Sequence, residues 1–170
     1  WATEFDVVEG LRELGHDVRI LGVGSDLGVI RAAFEEYQPH IAFNLLVAFH
    51  DVAVYDMHVV SYLELLKKAY TGCNPRGLML ARGKDLSKKL LKYHRVPVPA
   101  FAVFPMGKKV RRPGRLKYPL IVKSLWEDAS LGIAQASIVD TDEKLAERVA
   151  FIHKRLNTPA IAEEFIEGRE

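Results

Sequence analysis

The sequence predicts an α/β fold in two parts. Residues 1–74 read as helices alternating with strands of a parallel sheet, and residues 75–170 as an α+β unit with a largely antiparallel sheet. Three observations carry this. In the first part, two segments with helical spacing of apolar residues are each followed by a β-rich run, the order that covers a parallel sheet with helices. In the second part, four strand candidates are joined mostly by loops, with one long helix between the last two. The composition is that of a globular chain: in 170 residues, 49% are hydrophobic and 27% charged, which excludes disorder and collagen-like repeats.

The elements follow in order. Phe5, Val8, Leu11 and Leu14 recur at three-residue steps, predicting a helix over 3–14 that Gly15 stops. Val18, Ile20 and Leu21 make 17–22 a short strand candidate. Leu27, Ile30, Ala33 and Phe34 share one face of a helix over 26–37, with Ser25 or Asp26 as cap and Pro39 as stop. An apolar strand is expected at 40–46, and a helix at 56–68 from Met57, Val60, Leu63, Leu65 and Leu66. Gly72 to Pro75 is turn chemistry, so a domain boundary is placed near 73–76. Residues 76–94 are helical in composition with a break near Gly83, and Val96-Pro-Val-Pro99 forces extension. Strands are expected at 100–104, 119–124, 132–139 and 159–166, and a helix at 142–156.

Charge and cysteine content narrow the function classes. The 24 Lys+Arg against 22 Asp+Glu leave +2, which gives no global pull toward nucleic acid or a membrane. No apolar run approaches the ~20 residues that cross a bilayer. Lys108, Lys109, Arg111, Arg112, Arg115 and Lys117 form a basic stretch with only Tyr118 beside it, read as a solvated loop and not a nucleic-acid surface. The single cysteine, Cys73, forbids an internal disulfide and is expected to be a small buried hydrophobe. One cysteine and no signal peptide point to the cytoplasm. The chain starts at Trp1, not Met, and a first strand is missing before the first helix; Trp1 is expected to be an internal start.

Three segments carry chemistry. Lys123 closes the apolar run Tyr-Pro-Leu-Ile-Val-Lys, and Ser130 and Gly132 follow in a turn whose N–H groups can wrap phosphate oxygens. The run from Ala162 to Glu170 takes an apolar strand into Glu163, Glu164, Phe165 and Ile166, where a strand end can read an adenine edge and an acid can hold ribose hydroxyls. A third segment places Lys84, Lys88, Lys89 and Lys92 on one helix. His50, Asp51, Asp56 and His58 are metal-capable types, but their spacing follows no metal motif, and they are read as substrate-loop or surface residues.

Order and spacing add what the segments lack singly. Phe43-Asn-Leu, Tyr62-Leu-Glu-Leu-Leu, Tyr70-Thr-Gly, Lys84 in Lys-x₃-Lys-Lys-Leu-Leu, Val96-Pro-Val-Pro-Ala-Phe, Pro119-Leu-Ile-Val-Lys123, Ser130-Leu-Gly-Ile133 and the run to Glu170 succeed one another. From about residue 38 onward this series resembles the ATP-grasp superfamily, and within it D-alanine–D-alanine ligase and related carboxylate–amine ligases.

The resemblance implies a Rossmann-like pre-ATP-grasp domain over 1–74, lacking its first strand, and a central ATP-grasp subdomain over 75–170, lacking its C-terminal half. It implies that Lys84 and Lys123 reach the nucleotide phosphates, and that Glu127, Ser130 and Gly132 belong to the phosphate loop. Glu163 matches a residue near the adenine amino group, Glu164, Phe165 and Ile166 match the adenine hinge, and Glu170 matches the ribose acid. The family loop reads roughly Arg-Glu-Gly-Ser-Ser-x-Gly; here Asp128 replaces a glycine and Ala129 a serine, so a hydroxyl is lost and negative charge is added near the phosphates. Where the D-alanine ligases have His-Gly after the Phe43 motif, this chain has no glycine, and His50 stands three residues later.

The implied reaction uses ATP and Mg²⁺ to phosphorylate a small carboxylate, which an amine then attacks; amino-acid or peptide-like substrates and a homodimer are compatible with it. No catalytic residue is assigned. The Mg²⁺ ligands are expected beyond residue 170, so this stretch alone is expected to be inactive. The alternative is a non-catalytic nucleotide-binding or scaffold protein that keeps the fold.

Overall fold

The computed structural model describes residues 2–128 and 133–168. The chain divides into two compact units, residues 1–76 and 77–170.

The first unit is helical. Helix α1 (Ala2–Glu13) ends where Gly15 turns to φ 84°, and His16 N–H reaches back to the Leu11 carbonyl at 3.1 Å. The left-handed turn suits glycine because it has no Cβ. Helix α2 (Gly28–Tyr37) starts where Asp26 accepts a 2.7 Å bond from Gly28 N–H. Helix α3 spans Asp56–Leu65. Ile30 and Phe34 of α2 pack on Val59 and Leu63 of α3, with Leu46, Phe49 and Tyr62 at the margin. This is the face that the three- and four-residue apolar steps define.

The parallel sheet expected in this unit is not formed among the described residues. Segment 17–22 forms no strand, and Ile20 is 73% exposed. Segment 40–46 makes one parallel bridge, Ala42 to Tyr70. A strand exists only through a neighbour that completes its hydrogen bonds, and no described segment lies along 17–22. Helix α3 stops three residues short of the predicted end, because Lys67 adopts φ 55° and turns the chain. Cys73 is exposed, not buried; its Gly72 to Pro75 turn holds it away from the apolar cluster.

The second unit is built on an antiparallel sheet. Helix α4 (Pro75–Arg82) leads to the break at Gly83, and helix α5 (Lys84–Tyr93) follows. Strands β1 (Phe101–Phe104), β2 (Leu120–Ser124), β3 (Ile138–Val139) and β4 (Ala160–Glu164) lie in the order β1-β4-β2-β3, all neighbours antiparallel. The third strand is only two residues long, against the predicted 132–139. A 3₁₀ turn over Gln135–Ser137 takes up its start, locked by Ser137 Oγ accepting from Ala134 N–H at 3.0 Å.

Helix α6 (Asp142–Leu156) covers one sheet face. Thr141 caps it, accepting from Lys144 N–H at 3.2 Å, and Asn157 ends it at φ 52°. Asp142 and Glu143 in its first turn and His153, Lys154 and Arg155 in its last suit the helix dipole. Leu145, Val149 and Ile152 pack on Ala102, Phe104, Leu120, Val122, Ala160 and Ala162. Burying each large side chain contributes about 1.5–3 kcal/mol. Since side chains alternate along a strand, Phe101, Ile121, Lys123, Ile161 and Glu163 are left for the opposite face, and the polar chemistry lies there.

The basic stretch 108–117 is mostly exposed, as read from the sequence. Arg112 is the exception. It bonds Asp142 Oδ1 at 2.8 Å and the Leu116 carbonyl at 2.6 Å, and lies 4.7 Å from the Tyr118 ring.

Candidate nucleotide site

Strands β2 and β4 set the centre of the site. Ile121 pairs with Glu163 and Lys123 with Ile161, so Lys123 and Glu163 are diagonal neighbours on one face. Their side chains form an ion pair between Lys123 Nζ and Glu163 Oε1. Helix α5 contributes a second cation. Lys88 Nζ stands 2.5 Å from Glu163 Oε2 and 6.0 Å from the Phe101 ring, itself the β1 partner of Glu163.

Glu163 is a buried carboxylate whose side chain is 5% exposed. Burial alone would raise its pKa. Hydrogen bonds and charge from Lys123 and Lys88 outweigh burial and hold it below the usual carboxylate value.

Lys84 opens α5 one turn before Lys88 and lies on the same side of the helix. Its Nζ donates to the Glu127 carbonyl at 2.6 Å and the Leu125 carbonyl at 3.4 Å. Burial lowers its pKa, aided by the charges of Lys123 and Arg82 against the opposing pull of Asp128 and Glu127. The Glu127 N–H donates to Ser124 Oγ at 3.1 Å, and Ser124 also bonds Thr158 at 2.8 Å. The buried serine thus fixes the chain leaving β2 at the point where Lys84 holds it. The negative charge expected from Asp128 is not bare. Arg82 Nη1, on a side chain 11% exposed, pairs with Asp128 Oδ2 at 2.5 Å.

The exit of β4 is used partly by the sheet itself. Glu164 N–H donates to the Ala100 carbonyl at 2.9 Å, and its carboxylate accepts from Ala100 N–H at 3.2 Å. Phe165 N–H donates to the Pro119 carbonyl at 3.0 Å. Ile166 lies past the strand and is 66% exposed. Ser130, Gly132 and Glu170 lie outside the described residues, as does Ala129. Of the sequence-predicted residues, the structure therefore brings Lys84, Lys123 and Glu163 to one face, puts Glu127 against Lys84, and sets Glu164, Phe165 and Ile166 at the end of the same strand.

Two residues escaped the sequence reading as site members. Lys88 was visible as a helix lysine four residues after Lys84, a spacing that puts both on one side. Arg82 closes α4 and gave no signal beyond its charge.

Chemically the set is one carboxylate paired with two lysines, and a third lysine, Lys84, bonded to the backbone leaving β2, in a partly buried place. Cations in excess of their own counter-ion fit a polyphosphate. A divalent cation is a different matter: among the described residues no group of three His, Cys, Asp or Glu side chains converges. His50 and Asp51 are exposed with φ 55° and 58°, while Asp56 is buried at the start of α3 and bonds Met57 N–H at 2.6 Å, so it is not the surface residue expected.

No protein-family profile matches the chain. Individual relatives do, and they resemble the ATP-grasp ligases. The D-alanine–D-alanine ligase of Syntrophotalea carbinolica is 34% identical over 167 residues, covering 96% of this chain and 50% of that protein. The chain is thus homologous to D-alanine–D-alanine ligases and spans about half their length. The D-alanine–D-alanine ligase of Bacillus anthracis, solved with ATP, superposes with a TM-score of 0.63 at 21% identity, over 81% of this chain and 45% of that one. An L-amino acid ligase from Bacillus licheniformis superposes at 0.58 with 20% identity, over 84% of this chain and 30% of that one. At these identities the superpositions carry the fold alone. Among the described residues no helix is long and apolar enough to cross a membrane.

Proposed function

We propose that this chain is the N-terminal and central part of an ATP-dependent carboxylate–amine ligase, and that it holds part of the ATP site. The observation that carries the proposal is the buried Glu163 between Lys123 and Lys88, with Lys84 beside them on α5. In this reading residues 1–74 are a Rossmann-like pre-ATP-grasp domain and 75–170 the central ATP-grasp subdomain. Lys84 and Lys123 serve the phosphates, with Glu127, Ser130 and Gly132 in the phosphate loop that follows Lys123 in sequence. Glu163 meets the adenine amino group, the backbone over Glu164, Phe165 and Ile166 faces the adenine edge, and Glu170 holds the ribose.

The reaction transfers the γ-phosphoryl group of ATP to a substrate carboxylate. An amine then attacks the acylphosphate carbonyl, forming the C–N bond and releasing phosphate. Such chemistry needs positioning and charge neutralisation more than covalent help from the protein. The lysines serve the charge; Mg²⁺ would add to it through ligands outside the described residues. Substrates are small amino-acid-like carboxylates and amines, the setting is the cytoplasm, and a homodimer fits the family.

Trapping tests the proposal. Full-length protein given ATP, Mg²⁺, an amino acid and hydroxylamine is expected to yield ADP and the amino-acid hydroxamate, the product of an acylphosphate. ATP binding with neither ADP nor hydroxamate across the amino acids favours the non-catalytic alternative.

A further inference from the structure

We propose that Lys88 is a positioning residue of this site: by holding Glu163 Oε2, it leaves Lys123 available to a bound phosphate. The inference rests on the ATP-site reading above and adds to it a residue that the motif comparison leaves unassigned.

Glu163 carries two ion pairs, one on each carboxylate oxygen. If Lys123 were its only cation, turning Lys123 toward an anion would strand a buried charge, which is costly. The buried carboxylate would compete with the phosphate for the same ammonium. With Lys88 in place, Glu163 keeps a partner whichever way Lys123 points. The cation paired with Glu163 besides Lys123 is Lys88; Lys84 instead donates to the Glu127 and Leu125 carbonyls. Between the two partners, Lys88 is the better anchor. Its side chain is 16% exposed against 24% for Lys123, and it sits above the Phe101 ring.

The test is a double-mutant cycle on ATP affinity, measured by calorimetry on the full-length protein. Lys88→Met is expected to weaken ATP binding about tenfold, and Lys88→Arg to restore most of it. In a Glu163→Gln background there is no carboxylate to satisfy, so adding Lys88→Met should change affinity by less than about twofold. An equal loss in both backgrounds would overturn the role, since Lys88 would then act only as general positive charge. A fall in melting temperature with unchanged ATP affinity would overturn it too, leaving a purely structural lysine. If Lys88→Met does not fold, Lys88→Gln takes its place in the cycle. Lys123→Ala separates the two layers. Unchanged ATP affinity there overturns the site reading and this role with it, whereas a loss there with none for Lys88→Met overturns the role of Lys88 alone.

Discussion

Replacing Glu163 by Gln keeps the shape of the side chain and removes its charge from between two lysines. Breaking a fully buried ion pair by removing one partner costs about 3–5 kcal/mol. Here the stranded lysines keep 16% and 24% of their side-chain exposure and can turn toward water, so about 2 kcal/mol is the expected loss. For a chain of this size that lowers the melting temperature by about 4–8 °C. The effect has a defined pH dependence. The folded carboxyl titrates below its ordinary 4.5, because the two lysines outweigh burial. Stabilisation by a depressed carboxyl is complete above the ordinary value and is lost as pH falls through the folded one. Thermal unfolding of both proteins at pH 7 and across the acid range is the assay. The gap should be full at pH 7 and close below about pH 4.5. Equal stability at pH 7, or a gap that persists unchanged in acid, would refute the ion-pair reasoning.

Three further outcomes follow from the same geometry. Burial holds the Lys84 ammonium below the ordinary lysine value of 10.5; a titration of its Cε resonance, assigned by Lys84→Met, should find it deprotonating below that value, with the cost of its burial relieved as pH rises toward 10.5. Tyr118 is pushed up to about 12, first by burial and then by its hydrogen bond to Asp142 and that carboxylate's charge, against the opposing Arg112. An ultraviolet titration should therefore lose its last tyrosine step in Tyr118→Phe, and the preference for the neutral phenol should be lost as pH rises through 12. Leu145→Ala, at a position 1% exposed under the sheet, should cost about 2–5 kcal/mol in urea unfolding, whereas Leu65→Ala, 81% exposed, should change it by less than about 0.5 kcal/mol.

What the sequence made legible was whatever local chemistry decides. The apolar run at 119–124, the helix at 142–156 and the break near Gly83 all encode their elements within a few residues. So does Lys123, legible as the charged residue that closes that apolar strand. Partner-dependent features were not legible. Residues 17–22 have β-rich composition, yet a ladder needs a neighbour that composition does not supply. The short β3 depends on Arg148 bonding Ser137 Oγ across eleven positions, at 2.7 Å. The charge of Asp128 read as an addition to the phosphate region, while its neutraliser, Arg82, lies forty-six positions earlier. Lys88 became a site residue only once β4 placed Glu163 beneath α5.

The central claim is that Lys123 serves a nucleotide phosphate beside Glu163. Calorimetric titration of ATP into the full-length Lys123→Ala protein tests it most directly. Loss of a charge-assisted hydrogen bond of about 1.5–3 kcal/mol predicts ATP binding weaker by about 10- to 100-fold. ATP affinity equal to that of the unaltered protein would contradict the claim.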